Sequence, residues 1–281
     1  MITFLDINEF FSEIFINKKS YSVSYKEPKS KTLKVCMIQS PNLYNLHRYE
    51  YSYDIVRVSY FKRYELCKLW FLTLTFMKII TVAAGKGGSC KTTTALSLAA
   101  ILSSKKKILV VDADPQGSLA WVSDRSAPKF DIAQESDIGV LKKLRKVGGY
   151  DLIICDMPPG LDNASLSVTL KLTDFVVLPS PPSPLDIREL TKTINHVVKP
   201  SGIPYRVLLS RVDSRRINDA LAIQGQLMEK EIPVFNAVIR YLVAHERAII
   251  DGKLINEYKG PGAKEGVADF RRVADELLRE I

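Results

Sequence analysis

Residues 1–76 of this 281-residue chain contain no glycine and no alanine. Both types are common in proteins, and glycine serves turns whose backbone other residues avoid, so their joint absence argues against an ordinary globular domain here. The segment is rich in aromatics instead, with 8 of the 12 tyrosines and 7 of the 11 phenylalanines. No helical or alternating period persists beyond a few residues, except over 7–16. The expectation is an N-terminal extension, poorly ordered or not part of the functional protein, with the functional start at Met77. A small DNA- or partner-binding arm is the competing reading, although no helix-turn-helix pattern is visible.

Cysteine is scarce: Cys36, Cys67, Cys90 and Cys155 show no C-x-x-C spacing. No basic region followed by an apolar core opens the chain, so no secretory leader accompanies them. A reduced, cytoplasmic setting is the simpler inference. Long apolar runs are also missing. The stretch 66–84 is interrupted by Lys68 and Lys78, leaving nine uncharged residues over 69–77 where a bilayer-spanning helix needs roughly 20. Acidic residues fall short of basic ones, 31 against 40, for a net charge of +9. The surplus is uneven: residues 77–150 hold 12 Lys/Arg and 6 Asp/Glu, for +6, whereas residues 151–281 hold 17 and 18, for −1. A basic surplus favours a polyanion such as DNA or an anionic membrane, and it is equally what a solvated face carries.

What is present is a phosphate-binding pattern. Gly85-Lys86-Gly87-Gly88-Ser89-Cys90-Lys91-Thr92 lies between a short β-branched run at 79–84 and a small, apolar helical pattern at 93–102. Glycines let the backbone approach an anion, and successive N–H groups and the helix N-terminus point at it. Lys91 neutralises the β/γ-phosphates, and the Thr92 hydroxyl can ligate magnesium. Two more apolar runs end in aspartate: 108–111 in Asp112-Ala113-Asp114-Pro115-Gln116-Gly117, and 152–155 in Asp156-Met157-Pro158-Pro159-Gly160. A strand ending in a carboxylate delivers it to the edge of a parallel sheet, where ligands bind and a hydrated Mg²⁺ can be held. The reading is a nucleotide triphosphatase.

These residues resemble the ParA/MinD family of ATPases, whose deviant phosphate loop reads K-G-G-x-G-K-T. Lys86 to Thr92 match it except at Cys90; Asp112 to Gly117 match D-x-D-P-Q-G, and Asp156 to Pro159 match D-x-P-P. The resemblance implies an α/β P-loop NTPase, with a mostly parallel central sheet flanked by helices on both faces. It implies ATP and Mg²⁺ as cofactors, nucleotide contacts from Gly85 through Thr93, and catalytic roles for Lys86, Lys91 and Asp114. Thr92, Asp112 and Asp156 would surround the metal, and Lys86 would cross a two-fold interface to the partner's nucleotide. Arg215, Arg240 and Arg247 become candidates for DNA phosphates. The family often has asparagine against adenine where Ser210 stands, which leaves adenine preference open.

The rest of the sequence predicts a helix over 137–147 with exposed Lys142, Lys143, Arg145 and Lys146, and a strand over 175–178. Pro184 should open a helix burying Leu190, Ile194, Val197 and Val198. Strands are expected over 205–210 and 233–239, and Lys105-Lys106-Lys107 should end the first helix with positive charge. A final helix over 263–281 carries Val267, Phe270, Val273, Leu277 and Ile281 at spacings of three and four. Its acidic polar face argues for packing on the sheet rather than on a membrane.

By this resemblance the protein forms an ATP-sandwiched homodimer in the cytoplasm, associated with the nucleoid. It binds DNA non-specifically, and a ParB-like or other adaptor stimulates hydrolysis to position a plasmid, chromosome region or other large cargo. No stable membrane association is expected. The alternatives are a MinD-like membrane-associated ATPase, a metabolic enzyme of the same superfamily, and a hydrolysis-impaired relative. Cys90 raises the last: a left-handed backbone there costs roughly 1–2 kcal/mol, and a thiol at an anion site beside a helix N-terminus is open to a pKa shift and to oxidation.

Overall fold

The computed structural model describes residues 22–26, 32–36 and 77–281, except 118, 120, 121, 123, 124, 127 and 161–163. The periodic stretch 7–16 and nearly all of the apolar run before Met77 lie outside the described residues. The chain divides into two compact units, Met1–Thr73 and Leu74–Ile281. In the first, β1 (Ser22–Lys26) and β2 (Thr32–Cys36) pair antiparallel, with Ser22 opposite Cys36 and Lys26 opposite Thr32. Five residues a strand are too few for the alternation to stand out in sequence.

The second unit is built on a six-stranded sheet with all neighbours parallel. Its strands are β3 (Lys78–Val82), β4 (Ile108–Asp112), β5 (Asp131–Gln134), β6 (Leu152–Asp156), β7 (Phe175–Ser180) and β8 (Tyr205–Leu209), in the order β5-β4-β6-β3-β7-β8. Successive side chains point to opposite faces of a strand, and both faces of this sheet are covered, so the inner strands read as continuous apolar runs. Ile80, Val110, Ile154 and Val177 pack on one face with Leu98, Phe270, Val273 and Leu277 from helices α1 (Lys91–Leu102) and α7 (Ala263–Leu277). Ile79, Val111, Ile153 and Val176 pack on the other face. There they meet α2 (Ile138–Leu141), α3 (Ala164–Leu170), α4 (Pro184–Thr193) and α5 (Ile217–Glu229).

The predicted parallel sheet with helices on both faces is therefore what forms, but four local expectations need correction. The segment 137–147 is not one helix: α2 stops at Leu141 and a separate 3₁₀ turn holds Leu144–Lys146. Its two buried side chains, Leu141 and Leu144, stand three apart, the repeat of a 3₁₀ turn, and Gly139 weakens the α alternative. Lys105 to Lys107 lie beyond the end of α1 at Leu102 rather than in its last turn. Residues 233–239 form no continuous strand; the segment pairs with β8 and its continuation through isolated bridges, Val207 to Val234 and Val212 to Arg240, and one further bond from the Ile239 N–H to the Leu209 carbonyl at 2.9 Å. Between those bridges the Asn236 and Ala237 N–H groups donate to the Glu276 carboxylate at 2.8 Å each, so a side chain from α7 interrupts the ladder there.

The fourth correction concerns α7, which ends at Leu277 and buries Phe270, Val273 and Leu277, while Val267 is only half-buried. Asp269 is not on its polar face. It is fully buried, takes two hydrogen bonds of 2.9 Å from the Arg240 guanidinium, and also accepts from Arg272. This ties α7 to the segment following β8. Asp269→Ala should lower stability near the low end of the roughly 3–5 kcal/mol that breaking a buried pair costs, because Arg240 is 29% exposed and can be partly resolvated. Urea unfolding measures it, and a change below about 1 kcal/mol would mean the pair is not what holds α7.

Candidate nucleotide-binding site

The C-terminal ends of β3, β4 and β6 stand side by side, with Val82 paired to Asp156 and Asp156 to Asp112. This register brings the loop and both strand-end aspartates to one edge. After β3 the chain turns through Gly85 to Cys90 and enters α1 at Lys91. Gly88 has φ 76°, and a β-carbon at Gly87 or Gly88 would meet no protein atom within 4 Å, so the space over the loop is open to a ligand. Lys91 is buried, and its Nζ curls back toward the Lys86 carbonyl at 3.4 Å. Burial lowers its pKa, while Asp156 and Asp114 pull the other way.

The Thr92 hydroxyl donates to Asp156 Oδ2 at 2.6 Å. The other oxygen of Asp156, Oδ1, is buried without a partner. Burial pushes the Asp156 carboxyl up to about 7, against the lowering effect of Thr92, and Asp112 adds to the rise. A buried orphan carboxylate oxygen beside a threonine hydroxyl suits a hard divalent cation, which binds oxygen and is held through carboxylates, hydroxyls and water. These residues fit Mg²⁺, and Thr92 and Asp156 would hold it. Asp112 is differently placed. Its two oxygens accept from the Asp114 and Leu119 N–H groups, each at 3.0 Å, so it shapes the turn after β4. Asp114 is half-buried beside Lys91 and receives the Gln116 N–H.

Cys90 adopts φ 67°, ψ 29°, the left-handed conformation for which the pattern's glycine is suited. Burial raises its thiol pKa, outweighing Arg211, Ser210 and Lys91. Cys90→Gly should relieve about 1–2 kcal/mol of backbone strain and lose about 0.5–1 kcal/mol to glycine's freedom in the unfolded chain. The net gain is at most about 1.5 kcal/mol, a melting rise of no more than about 3–6 °C, with faster ATP turnover. Equal turnover and equal melting would show the side chain to be harmless.

Lys86 sits at the mouth of the loop, 56% exposed, and is paired at 2.8 Å with Asp186 in the first turn of α4. Ser183 caps that helix and also donates to Asp186, and the two partners hold the Asp186 carboxyl below its usual range. Two residues at the site, Asp186 and Arg211, escaped sequence reasoning, and Ser210, weighed there only against adenine, holds the loop backbone. Asp186 is 100 positions from Lys86 and looks like an ordinary helix N-terminal acid. Ser210, buried, donates to the Ser89 carbonyl at 3.2 Å. Arg211 has φ 54° and reaches the Gly88 carbonyl at 3.4 Å, with its guanidinium over Tyr241. Its positive φ carries no signal in a lone sequence.

The remaining candidates do not converge on the loop. Thr93 faces a small cleft with Leu96, Ser97, His245 and Ile249, between α1 and α6 (Ala244–Ile250). Arg240 is committed to Asp269. Arg215 is 87% exposed and pairs with its neighbour Asp213, and Arg247 is exposed on α6.

The sequence model of the CbiA family, described as the CobQ/CobB/MinD/ParA nucleotide binding domain, matches residues 80–255. The chain belongs to this family. Among curated members, Maintenance of carboxysome distribution protein A of Gloeobacter kilaueensis is 48% identical over 208 residues, 73% of this chain and 96% of the relative. Among solved structures, a putative plasmid partition protein of Borrelia burgdorferi bound to AMPPNP is 18% identical with TM-score 0.58, covering 73% of this chain and 100% of that one. The septum site-determining protein MinD of Pyrococcus horikoshii, complexed with Mg-ADP, is 22% identical with TM-score 0.58, covering 72% and 96%. At such identities these two structures establish the fold, a ParA/MinD-like P-loop sheet.

Proposed function

We propose that the unit beginning near Met77 is a positioning ATPase that closes as an ATP-sandwiched homodimer, binds DNA non-specifically and releases it when an adaptor stimulates hydrolysis. The observation that carries this reading is the placement of Lys86. It stands at the open mouth of the loop, held among the described residues by a surface pair with Asp186, a position from which it would reach a nucleotide on a second copy. Lys91 and the N–H groups of the loop would position the triphosphate, Asp114 would orient the attacking water, and Thr92 and Asp156 would hold a Mg²⁺ whose charge offsets that of the phosphates.

Nearly half of the aligned residues are shared with a carboxysome distribution protein along almost its whole length, which makes a carboxysome the first choice of cargo. A plasmid or chromosome region comes second. Arg215 and Arg247, both exposed, are candidate phosphate contacts that position without reading sequence. The left-handed backbone at Cys90 favours a variant of this cycle in which nucleotide binds well and hydrolysis is slow. Residues 1–76 are placed outside the cycle.

Gel retardation of arbitrary duplex DNA by the full chain, with and without Mg-ATP, tests the reading, with flotation on anionic vesicles as the parallel arm. Retardation only with ATP, unchanged in a 77–281 chain, is expected. ATP-dependent flotation without retardation would replace this reading with a MinD-like one. Loss of retardation in the shorter chain would restore a role for residues 1–76.

A further inference from the structure

The +6 surplus of residues 77–150 is gathered by the topology at one end of the sheet. Lys105, Lys106 and Lys107 form the turn entering β4, and Lys142, Lys143 and Lys146 lie on the segment that descends from α2 to β6. Arg145 pins that segment in place, donating to the Met77 carbonyl at 3.0 Å and pairing with Asp174 at 2.9 Å, at the N-terminal ends of β3 and β7. Lys107 approaches the ring of Tyr150, 5.4 Å from its centre, which joins the two groups. Five of the six lysines are exposed and Lys106 is half-buried. Among the described residues, none of the six takes part in an ion pair.

The carboxylates at this end each accept a hydrogen bond from the protein. Asp131 accepts from the Tyr150 hydroxyl, Asp151 from the Lys107 N–H and Asp174 from the Ile79 N–H, each at 2.7 Å. The strands are parallel and five residues long, so this pole stands on the order of 17 Å from the loop at their other ends. Its charge therefore does not serve the bound triphosphate, and it stays uncovered when two loops meet face to face.

We propose that this lysine pole is a second phosphate-binding surface, complete in each subunit, that takes the backbone of duplex nucleic acid. Flexible ammonium groups without a bidentate arginine array suit phosphates as point charges and carry no sequence preference. A membrane surface fits less well, since interfacial binders set an apolar face beside the basic one. Of the large exposed apolar residues among the described ones, only Val140 lies on the α2 segment; Leu185, Leu221, Met228, Tyr241, Val243 and Ile250 are elsewhere. The proposal rests on the DNA-binding reading above and deepens it. Dimerisation doubles the number of poles, so ATP acts through avidity rather than by creating the surface, a single pole binding too weakly to retard DNA in a gel.

The test uses the full chain and a random-sequence duplex, with affinity followed by fluorescence anisotropy from 50 to 200 mM salt. The variants are Lys105→Ala/Lys106→Ala/Lys107→Ala and Lys142→Ala/Lys143→Ala/Lys146→Ala, with Arg215→Ala/Arg247→Ala for comparison. Nucleotide binding by each variant serves as the folding control. Each lysine triple should flatten the slope of log K against log salt by about 2–3 and weaken binding about tenfold or more, with nucleotide affinity kept. Wild-type binding that neither triple alters overturns the pole and leaves the DNA reading standing. No wild-type binding with Mg-ATP overturns both. Lysine-dependent binding to phosphatidylserine vesicles without DNA binding transfers the pole to a membrane and overturns the proposal.

Discussion

Lys86→Ala is expected to leave the chain monomeric at Mg-ATP concentrations that dimerise the natural form, with ATP-dependent DNA retardation lost and stimulated hydrolysis reduced about a hundredfold or more. The reasoning compares two environments of one ammonium group. In the single subunit Lys86 pairs with Asp186 while 56% exposed, and such a surface pair contributes at most about 1 kcal/mol. It is given up readily. In a closed sandwich the same charge would face a triphosphate away from water, where removing one preorganised donor costs about 10²–10³ in rate. Asp186→Ala is the matching control, because it frees the lysine and leaves the loop intact; dimerisation should be at least as easy as in the natural form. Light scattering with and without Mg-ATP reads both variants. A Lys86→Ala chain that dimerises at the wild-type ATP concentration would remove the sandwich from the account and leave a P-loop ATPase acting as a monomer.

Asp156→Asn is expected to cut magnesium-dependent hydrolysis by about a hundredfold while leaving the free chain at least as stable as before. The two effects have opposite causes. With metal and nucleotide, the carboxylate supplies negative charge and an oxygen that an amide replaces poorly. Without them, that carboxylate is a buried charge, which is why its pKa sits at about 7 in the folded chain against roughly 3.9 when unfolded. Between those values the folded state holds a proton that the unfolded state has released. Stability of the metal-free protein therefore falls as pH rises from about 4 to about 7. Asparagine has nothing to titrate. Melting in EDTA should thus be similar for the two proteins near pH 4 and higher for the variant at pH 8, whereas adding Mg-ATP should stabilise the natural form far more. A variant with wild-type turnover and magnesium dependence would show that the metal is held elsewhere, and Asp112 would be the next residue to examine.

Much of the site was readable because its signals are local. Gly85 to Thr92 announces a phosphate loop by composition and by its place between a β-branched run and a small apolar helix. Asp112 and Asp156 each close a short apolar run, and parallel pairing of β4, β6 and β3 brings such strand ends to one edge. Less readable was how the carboxylates divide the work. In sequence both are acids at strand ends. In the fold, Asp112 is occupied by the Asp114 and Leu119 N–H groups, while Asp156 keeps an unpartnered oxygen beside Thr92. Arg240 looked like a free cation until α7 placed Asp269 against it, and residues 233–239 looked like a strand until Glu276 took two of its N–H groups.

The sequence alone determined a parallel sheet covered on both faces, a phosphate loop at the carboxyl ends of its strands and a basic first half of the ATPase unit. The loop and the basic half follow from residue type and periodicity over windows of ten residues or so, and the covered parallel sheet from the family resemblance that the motifs carry. Only the tertiary structure decided which polar groups are used up and which stay available. It buried Asp269, paired Lys86 with Asp186, left one oxygen of Asp156 bare and gathered scattered lysines at one pole. Hydrogen bonds and ion pairs between residues tens to a hundred positions apart leave no periodic trace in the chain, so their partners exist only once the strands and helices have packed.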